Sequence, residues 1–553
     1  MIIKTLLANF IAETLAAAQA RGDLPPVAMP EIVVERPQRA EFGDYATSLP
    51  LKLARAARMN PRAIAEILVK NMPQTDYVES ATVAAPGFIN FVLRPSWVAA
   101  QVDEIIRAGA EFGHLDVGQG QRVQVEYVSA NPTGPLHVGH GRGAVLGSTL
   151  VKALAAAGFA VESEYYLNDA GNQIDAFNRT LYARYAQALG QSVEVPHDGY
   201  MGTYMVDLAQ ELSAAEGDRF LQMPPEQGAV ELGVLGLNRM TAAIKEDLER
   251  LRVEFDSWFS ERTLYEDDAF AQSMAILRGK GHIEEREGAV WFSSSQLGDD
   301  RDSVVIRTNG SPTYFASDIA YHYDKFERRH FDRVIDIWGA DHMGHVARVK
   351  AVVGALGFDP AQLQVLISQL VTLRRGDEIL RLSKRTGDII TMREVIEEVG
   401  ADACRFFFLT RSADSQMDFD LELAVKQSQD NPVYYVQYAH ARIASILRLA
   451  RERGIDWSDG VVSLLTGPDE LELVRKLLEL PELVQLVAQE LQPHHLPHYA
   501  QDLAAVFHSF YNRCRVISPD VPMTAARLKL VEAAQITLAN SLHLMGIAAP
   551  DRM

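Results

Sequence analysis

The fold of the central region is decided by residues 125–143, which read VEYVSANPTGPLHVGHGRG. The apolar start predicts the end of a β-strand, the Pro/Gly-rich middle predicts a tight loop, and a helix follows among glycines. In sheets of this kind, ligands lie outside the carboxyl ends of strands, where a helix N-terminus favours phosphate. Gly139 and Gly141 would let a nucleotide lie against the backbone, and His137 and His140 could donate hydrogen bonds to its α-phosphate.

Short apolar strands alternate with longer helices around this stretch. The predicted strands are 123–128, 161–167, 304–308, 334–338 and 363–373, and the predicted helices include 141–157 and 345–356. This alternation predicts a parallel sheet covered on both faces, so we expect a Rossmann-type α/β domain over residues 116–430. Residues 168–300 are mostly helical in pattern and polar, which indicates a helical insertion between the two halves.

The two flanking regions have other patterns. Residues 1–115 combine helical stretches with two short strands bent at Pro86-Gly87, which predicts an α+β domain. Residues 431–553 show helical periodicity throughout, which predicts an all-α bundle. A chain of 553 residues is too long for one hydrophobic core, so three domains are a reasonable expectation.

Composition limits the classes of function. The net charge of −20 argues against a non-specific nucleic-acid binder but permits an enzyme that docks one shaped RNA through local basic patches. No window approaches the ~18 consecutive apolar residues of a membrane span. The N-terminal residues lack the pattern of a secretory signal. Two cysteines, Cys404 and Cys514, cannot form a disulfide framework, which favours a reducing cytoplasm.

His137-Val138-Gly139-His140 resembles the HIGH signature of class I aminoacyl-tRNA synthetases. A second stretch, 380–387 (LRLSKRTG), lies about 245 residues later and resembles the KMSKS loop of the same class. Lys384 stands at the second lysine position, where a cation would neutralise the pyrophosphate leaving group, and Ser383 precedes it. Arg381 and Leu382 replace the lysine and methionine of that pattern. The resemblance implies ATP binding by the histidine motif together with a lysine loop at about 380–388.

The amino acid is indicated by carboxylates near the predicted nucleotide site. A guanidinium presents a planar fork of donors that suits carboxylates at bidentate distance. Glu126 ends the first strand, while Tyr314 and Asp318 are four residues apart and would share one helix face. These residues resemble the arginine pocket of arginyl-tRNA synthetases. The resemblance implies that Glu126, Tyr314 and Asp318 hold the side chain, and that Ser129 and Asn131 hold the α-amino and carboxylate end.

The stretch 337–345, IWGADHMGH, lies at the predicted end of another strand. Gly339 would permit close approach of the adenosine, and Asp341 could accept a hydrogen bond from a ribose hydroxyl or from the amino acid. A zinc site made by Asp341, His342 and His345 would lack a fourth ligand. We therefore expect no tightly bound metal, and Mg²⁺ only as part of the ATP complex.

Both flanking regions carry further resemblances to arginyl-tRNA synthetases. Residues 41–47 (EFGDYAT) and 86–91 (PGFINF) are similar to their N-terminal domain, which implies contact with the tRNA elbow through basic residues. The candidates for phosphate contacts are Arg36, Arg39, Lys52, Arg55, Arg58 and Arg62. Residues 431–442 (NPVYYVQYAHAR) are similar to the anticodon-binding domain, where exposed tyrosines would stack unpaired bases.

These resemblances imply a monomeric, cytoplasmic enzyme that uses ATP to join L-arginine to tRNA(Arg). Two alternatives remain open at this point. One is a ligase or nucleotidyltransferase of the same class with another substrate, against which Glu126 and Asp318 speak. The other is a non-catalytic RNA-binding relative, against which His137, His140 and Lys384 speak.

Overall fold

The computed structural model describes residues 2–299, 301–380 and 390–553. The N-terminal region is a four-stranded antiparallel sheet, in the order β1-β2-β4-β3, flanked by helices. Its elements are α1 (Ile3–Ala20), β1 (Val34–Glu35), β2 (Tyr45–Thr47), α2 (Leu49–Ala57), α3 (Pro61–Asn71), β3 (Val78–Ala84), β4 (Phe88–Leu93) and α4 (Pro95–Ala108). The predicted bend at Pro86-Gly87 is confirmed as the turn between β3 and β4.

The central region contains most of the strands. Its first half comprises β5 (Arg122–Glu126), α5 (Val138–Ala156), β6 (Ala160–Leu167), α6 (Asn172–Ala188), α7 (Thr203–Glu216), α8 (Pro225–Arg250), β7 (Ser257–Ser260), α9 (Thr263–Glu266), α10 (Ala269–Gly279), β8 (Ile283–Arg286) and β9 (Ala289–Phe292). Its second half comprises β10 (Ser303–Ile306), α11 (Tyr314–Tyr323), β11 (Arg333–Gly339), α12 (Val346–Leu356), β12 (Leu363–Ser368), β13 (Val371–Arg375), β14 (Glu378–Ile379), α13 (Met392–Val399), α14 (Ala401–Leu409), β15 (Met417–Asp420) and α15 (Leu421–Val425).

Five parallel strands form the main sheet in the order β12-β11-β5-β6-β7. The chain runs outward from β5 to β7 and then returns to the other side of β5 with β11 and β12. This is the doubly wound arrangement, and the direction of winding reverses between β5 and β11. Gly147 lets α5 pack closely on this sheet, because a Cβ there would overlap the ring of Tyr127. The predicted Rossmann-type fold is confirmed.

Three sequence predictions need correction. Residues 303–306 pair with β9 in a separate three-stranded antiparallel sheet and do not join the parallel sheet. The single strand predicted for 363–373 is two strands, because Gln369 and Leu370 separate β12 from β13, and β13 pairs with β15 instead. Residues 257–260, which we assigned to the helical insertion, form the edge strand β7. A strand of four residues shows too little alternation of apolar and polar side chains to stand out, so the helical pattern of its neighbours dominated the prediction.

The C-terminal region is a bundle of helices, as predicted. Its members are α16 (Pro432–Glu452), α17 (Pro468–Leu477), α18 (Leu480–Glu490), α19 (His495–Arg513) and α20 (Val521–Leu544). In the part of the chain that the structure describes, no helix is long and apolar enough to cross a membrane.

The N-terminal sheet is attached to the bundle by polar contacts around Glu482 of α18. Tyr45 donates its hydroxyl to one oxygen of Glu482 at 2.7 Å, and Arg36 Nε donates to the other at 3.2 Å. Nearby, Arg475 Nε donates to Asp44 at 2.5 Å. Arg36, one of the predicted contacts to tRNA phosphate, thus has two guanidinium nitrogens paired with Glu482 and Glu479 of the bundle.

Candidate active site

The candidate site lies where the winding of the sheet reverses. The carboxyl ends of β5 and β11 meet there, with Glu126 directly opposite Asp336 in the register of the two strands. The loop after β5 leads into α5, and the residues after β11 form the Gly339–His345 turn. Crevices at such reversal points are the usual ligand sites of open α/β sheets.

The two histidines of the α5 turn are held by backbone amides. His137 Nδ1 accepts from Gly139 N at 3.1 Å, and His140 Nδ1 accepts from His137 N at 3.3 Å. The rings stack with centroids 3.7 Å apart. Since Nδ1 of each ring is an acceptor, the proton of each neutral imidazole is placed on Nε2. Both side chains therefore present an N–H donor on the side away from the helix backbone.

Both imidazoles are neutral at physiological pH. Burial lowers the pKa of His140 to about 3, and the neighbouring His137 adds to the shift. Burial also lowers the pKa of His137, although the charge of Asp341 opposes the change. Asp341 therefore lies near His137. Asp341 itself is exposed, and its side chain folds back over Gly339, where a Cβ would overlap Asp341 Oδ1 at 2.6 Å.

A buried ionic network lies behind the crevice. Lys325 Nζ is 2.7 Å from Glu126 Oε2 and 2.8 Å from Asp336 Oδ1. His322 Nε2 lies 3.1 Å from the other oxygen of Asp336. Burial opposes ionisation of Asp336, but the charges and hydrogen bonds of Lys325 and His322 together outweigh it and lower the pKa of Asp336 to about 2. Burial raises the pKa of Glu126 despite Lys325.

A strained turn follows β5. Val128 and Ser129 have φ values of 68° and 41°, in the left-handed region that side-chain-bearing residues rarely adopt. The turn brings Ser129 Oγ to Glu126 Oε1, to which it donates at 2.9 Å, and to the amide of Tyr166, from which it accepts at 3.1 Å. Asn131 Nδ2 donates to Gln173 at 2.6 Å. Ser129 and Asn131 thus border the crevice but already have protein partners.

Asp318 lies close enough to Glu126 for their charges to interact. Burial raises the pKa of Asp318 to about 7, and the charges of Glu126 and Glu261 contribute to the rise. Tyr314 lies one turn earlier on α11 and has 48% of its surface exposed. Burial raises the pKa of Tyr314 as well, and the charge of Glu261 raises it further. The structure therefore brings Glu126 and Asp318 into electrostatic contact, with Tyr314 at the rim.

A third carboxylate, Glu261, was not predicted from the sequence. It follows β7, is buried, and accepts a hydrogen bond from Ser317, the neighbour of Asp318. Burial raises the pKa of the nearby Tyr166, and the charges of Glu261, Asp318 and Glu126 raise it further. Recognising β7 as a sheet strand would have revealed Glu261, because the carboxyl end of each strand in this sheet faces the crevice.

Lys384 and Ser383 lie outside the described residues. The described chain resumes at Ile390. The next residue, Thr391, forms an isolated antiparallel β-bridge with His137, and Met392 N donates to Leu136 O at 2.7 Å.

Within the described ranges, no group of three His, Cys, Asp or Glu side chains is arranged to hold a metal ion. His342 and His345 are exposed, with ring centroids 5.9 Å apart.

Comparison with known proteins supplies the family. The profile described as tRNA synthetases class I (R), catalytic domain, matches residues 101–418, which is more than half of the chain. The arginyl tRNA synthetase N terminal domain matches residues 3–93, and the DALR anticodon binding domain matches residues 436–553. The chain belongs to the arginyl-tRNA synthetase family.

Individual relatives of this family are similar over their whole length. The arginine–tRNA ligase of Dehalococcoides mccartyi is 55% identical over 553 residues, covering 100% of this chain and 99% of the relative. The arginine–tRNA ligase of Moorella thermoacetica is 48% identical over 555 residues, with the same coverage. The solved structure of the Thermus thermophilus arginyl-tRNA synthetase covers 100% of both chains with a TM-score of 0.79 at 24% identity, which supports the fold alone.

Proposed function

We propose that this arginyl-tRNA synthetase joins L-arginine to tRNA(Arg) through an arginyl adenylate, with the guanidinium held by Asp318 and Glu261 beside Glu126. The observation that carries the proposal is the set of three carboxylates, Glu126, Asp318 and Glu261, at the carboxyl end of the parallel sheet, where Glu126 ends β5, Glu261 follows β7, and Glu261 accepts from Ser317 beside Asp318. Among the described residues, Lys325 is the cation in direct contact with this group, and it is shared with Asp336. A guanidinium would supply the missing positive charge.

The histidine turn is suited to the first chemical step. ATP would lie across Gly139 and Gly339, with its α-phosphate near the Nε2–H donors of His137 and His140. The carboxylate oxygen of arginine attacks the α-phosphorus, the bond to the bridging oxygen breaks, and pyrophosphate leaves. Neutral donors aimed at developing charge stabilise such a transition state without reorganisation. Lys384 is the group that we assign to the charge of pyrophosphate, and Ser383 is assigned to ATP binding beside it.

The second step transfers the arginyl group. A terminal ribose hydroxyl of the tRNA attacks the carbonyl carbon of the adenylate, its proton is lost, and AMP leaves with the electron pair of the cleaved acyl–phosphate bond. Asp341 is exposed at the crevice mouth, which supports its assignment to a ribose hydroxyl or to the amino acid. We assign Ser129 and Asn131 to the backbone end of arginine, which would require both to exchange a protein partner for substrate.

The anticodon end of the tRNA would contact the bundle. Tyr438 is exposed on α16, Arg442 lies over its ring at 4.9 Å, and Arg442 also lies over Tyr511 of α19 at 5.3 Å. Aromatic rings interleaved with a guanidinium suit the stacking of unpaired bases. Tyr434 and Tyr435 are partly buried, so Tyr438 is the best placed of the three predicted tyrosines.

We extend the proposal to a monomer that acts in the cytoplasm and takes ATP as its Mg²⁺ complex. Cys404 and Cys514 are both free, which supports a reducing environment. Light scattering after size exclusion should give a mass near 61.2 kDa. A mass near twice that value would contradict the monomer.

The test is charging of a tRNA pool by the purified chain with arginine, lysine or cysteine supplied singly. Arginine alone should be attached, and Asp318→Asn should raise the arginine KM by about 10-fold or more, since charge-assisted bonds contribute about 1.5–3 kcal/mol each. The matched control is Asp332→Asn, because Asp332 accepts from Arg122 N at the amino end of the same sheet. Charging with another amino acid, or an unchanged arginine KM for Asp318→Asn, would refute the proposal.

A further inference from the structure

Arg142 is a fully buried arginine two residues after His140 on α5. Its guanidinium donates to three backbone carbonyls: Nη1 to Gln369 O and Ser415 O, both at 2.8 Å, and Nη2 to Ser412 O at 2.7 Å. Within the described ranges it forms no ion pair, and its Nε has no partner. Burying a charge against neutral carbonyls costs desolvation free energy. We therefore expect Arg142 to have a role beyond stability.

The three carbonyls belong to two segments that meet beside the crevice. Gln369 directly follows β12, and Ser412 and Ser415 lie in the turn between α14 and β15. The segments are joined to each other by Gln369 N donating to Ala413 O at 2.9 Å. One planar guanidinium therefore fastens the start of α5 to both segments at once. A lysine ammonium is a point charge on a flexible stem and could not reproduce this fork.

The position of β12 fixes the other wall of the crevice. Ser368, the last residue of β12, is opposite Gly339 in the register with β11. The link from Arg142 to Gln369 thus sets the separation between the turn that carries His137 and His140 and the strand end that carries Gly339.

The same turn of α5 is also fitted tightly on a second side. A Cβ at Gly141 would overlap Met392 Sδ, and Met392 N already donates to Leu136 O. The first turn of α5 is consequently held between Met392 and the carbonyls bound by Arg142, with little room for displacement in either direction.

We propose that Arg142 is a positioning residue for arginine activation, which sets the distance between the histidine turn and the Gly339 wall of the ATP crevice. The inference rests on the proposed function, because it assigns ATP to that crevice. It predicts that weakening the contacts of Arg142 changes the KM for ATP more than the KM for arginine, since the carboxylates Glu126, Asp318 and Glu261 are attached to other elements.

The first test compares Arg142→Lys with a matched variant, Arg405→Lys. Arg405 is also fully buried and donates to backbone carbonyls (Met545 O and Leu251 O), and it binds the same helix at Ser148, about two turns from His140. Both variants should lose thermal stability. Arg142→Lys should raise the ATP KM at least 10-fold and lower kcat at least 10-fold, with the arginine KM changed less than 3-fold, whereas Arg405→Lys should keep all three within 3-fold.

A second test does not depend on the folding of Arg142→Lys. Gly141→Ala should displace the same turn by overlap with Met392, raising the ATP KM, and Met392→Ala added to it should restore most of the loss. A folded Arg142→Lys protein with a normal ATP KM would overturn the inference, and so would equal changes in the two KM values or a Gly141→Ala enzyme with normal ATP kinetics. Failure of the unaltered chain to charge arginine would instead refute the proposed function.

Discussion

Lys325 Nζ lies 2.7 Å from Glu126 Oε2, and water reaches almost none of either side chain. The ammonium also binds Asp336 and stacks over the ring of Tyr321 at 4.0 Å. Burial lowers the pKa of Lys325, but the two carboxylates outweigh burial and raise it, so the lysine stays charged. One buried cation therefore orients the carboxylate that ends β5 and joins β5 to β11.

Replacing Lys325 by methionine should destabilise the protein and weaken arginine binding. Removal of one partner from a buried pair leaves uncompensated charge and typically costs about 3–5 kcal/mol. We expect Lys325→Met to lose stability of that order, measured by urea unfolding, and to raise the arginine KM through misplacement of Glu126. Lys426→Met is the control, because Lys426 pairs with Glu422 on the surface and should lose less than about 1 kcal/mol. Equal effects of the two substitutions would contradict the account.

The arginine affinity should depend on pH through Asp318. Its pKa is raised to about 7 by burial and by neighbouring carboxylates, so the group gains a proton as the pH falls below that value. A guanidinium favours the ionised carboxylate, and protonation must therefore weaken binding. We expect kcat/KM for arginine to fall up to about tenfold per pH unit below pH 7 and to level off above it. In Asp318→Asn this dependence should disappear, and a flat profile for the unaltered enzyme between pH 6 and 8 would count against the assignment.

The histidines should act as neutral donors. Burial lowers the pKa of His140 to about 3, so its ring carries no charge near neutral pH. Glutamine can supply an N–H donor at about the distance of Nε2 from the backbone, whereas alanine cannot. His140→Gln should therefore retain more activation activity than His140→Ala, whose kcat should fall about 10²–10³-fold if His140 donates to developing charge. Measured adenylate formation that is equally slow in both variants would show that more than a donor is needed.

The contact between the N-terminal sheet and the bundle should influence tRNA use. Glu482 accepts hydrogen bonds from Tyr45 and Arg36. Glu482→Gln would remove one of the two carboxylates that pair with Arg36 and leave Glu479. We expect a several-fold rise in the tRNA KM with unchanged arginine and ATP KM values. Glu104→Gln is the control, because Glu104 pairs with Arg107 at an exposed position of α4. A change confined to the arginine or ATP KM would contradict this role.

The sequence allowed prediction of the parts of the fold that carry strong local signals. The strand before Glu126, the helix after His137 and the helical C-terminal region follow from apolar periodicity and from glycine and proline positions. It did not reveal β7, since four residues beside long helices show no clear period. Glu261 was missed with β7, and its place in the site depends on a strand order that local patterns do not encode.

The buried network was missed for a different reason. Lys325 lies in a π-helical turn, Asp324–Arg328, directly after α11, and a lysine there is ordinarily an exposed helix residue. Only the pairing of β5 with β11 brings Glu126 and Asp336 to its ammonium. Arg142 was likewise quoted within the histidine stretch, yet its carbonyl partners are more than 220 residues away in the chain.

The central claim is that a guanidinium is recognised by its charge between Asp318 and Glu261 beside Glu126. The most direct measurement compares charging of tRNA with arginine and with citrulline, which has nearly the same shape but no charge. The unaltered chain should prefer arginine by at least about 10³-fold in kcat/KM, because unpaired buried carboxylates penalise the neutral side chain. The double variant Asp318→Asn with Glu261→Gln should lose most of that preference. Comparable charging with citrulline by the unaltered chain, or a preference unchanged in the double variant, would contradict the account.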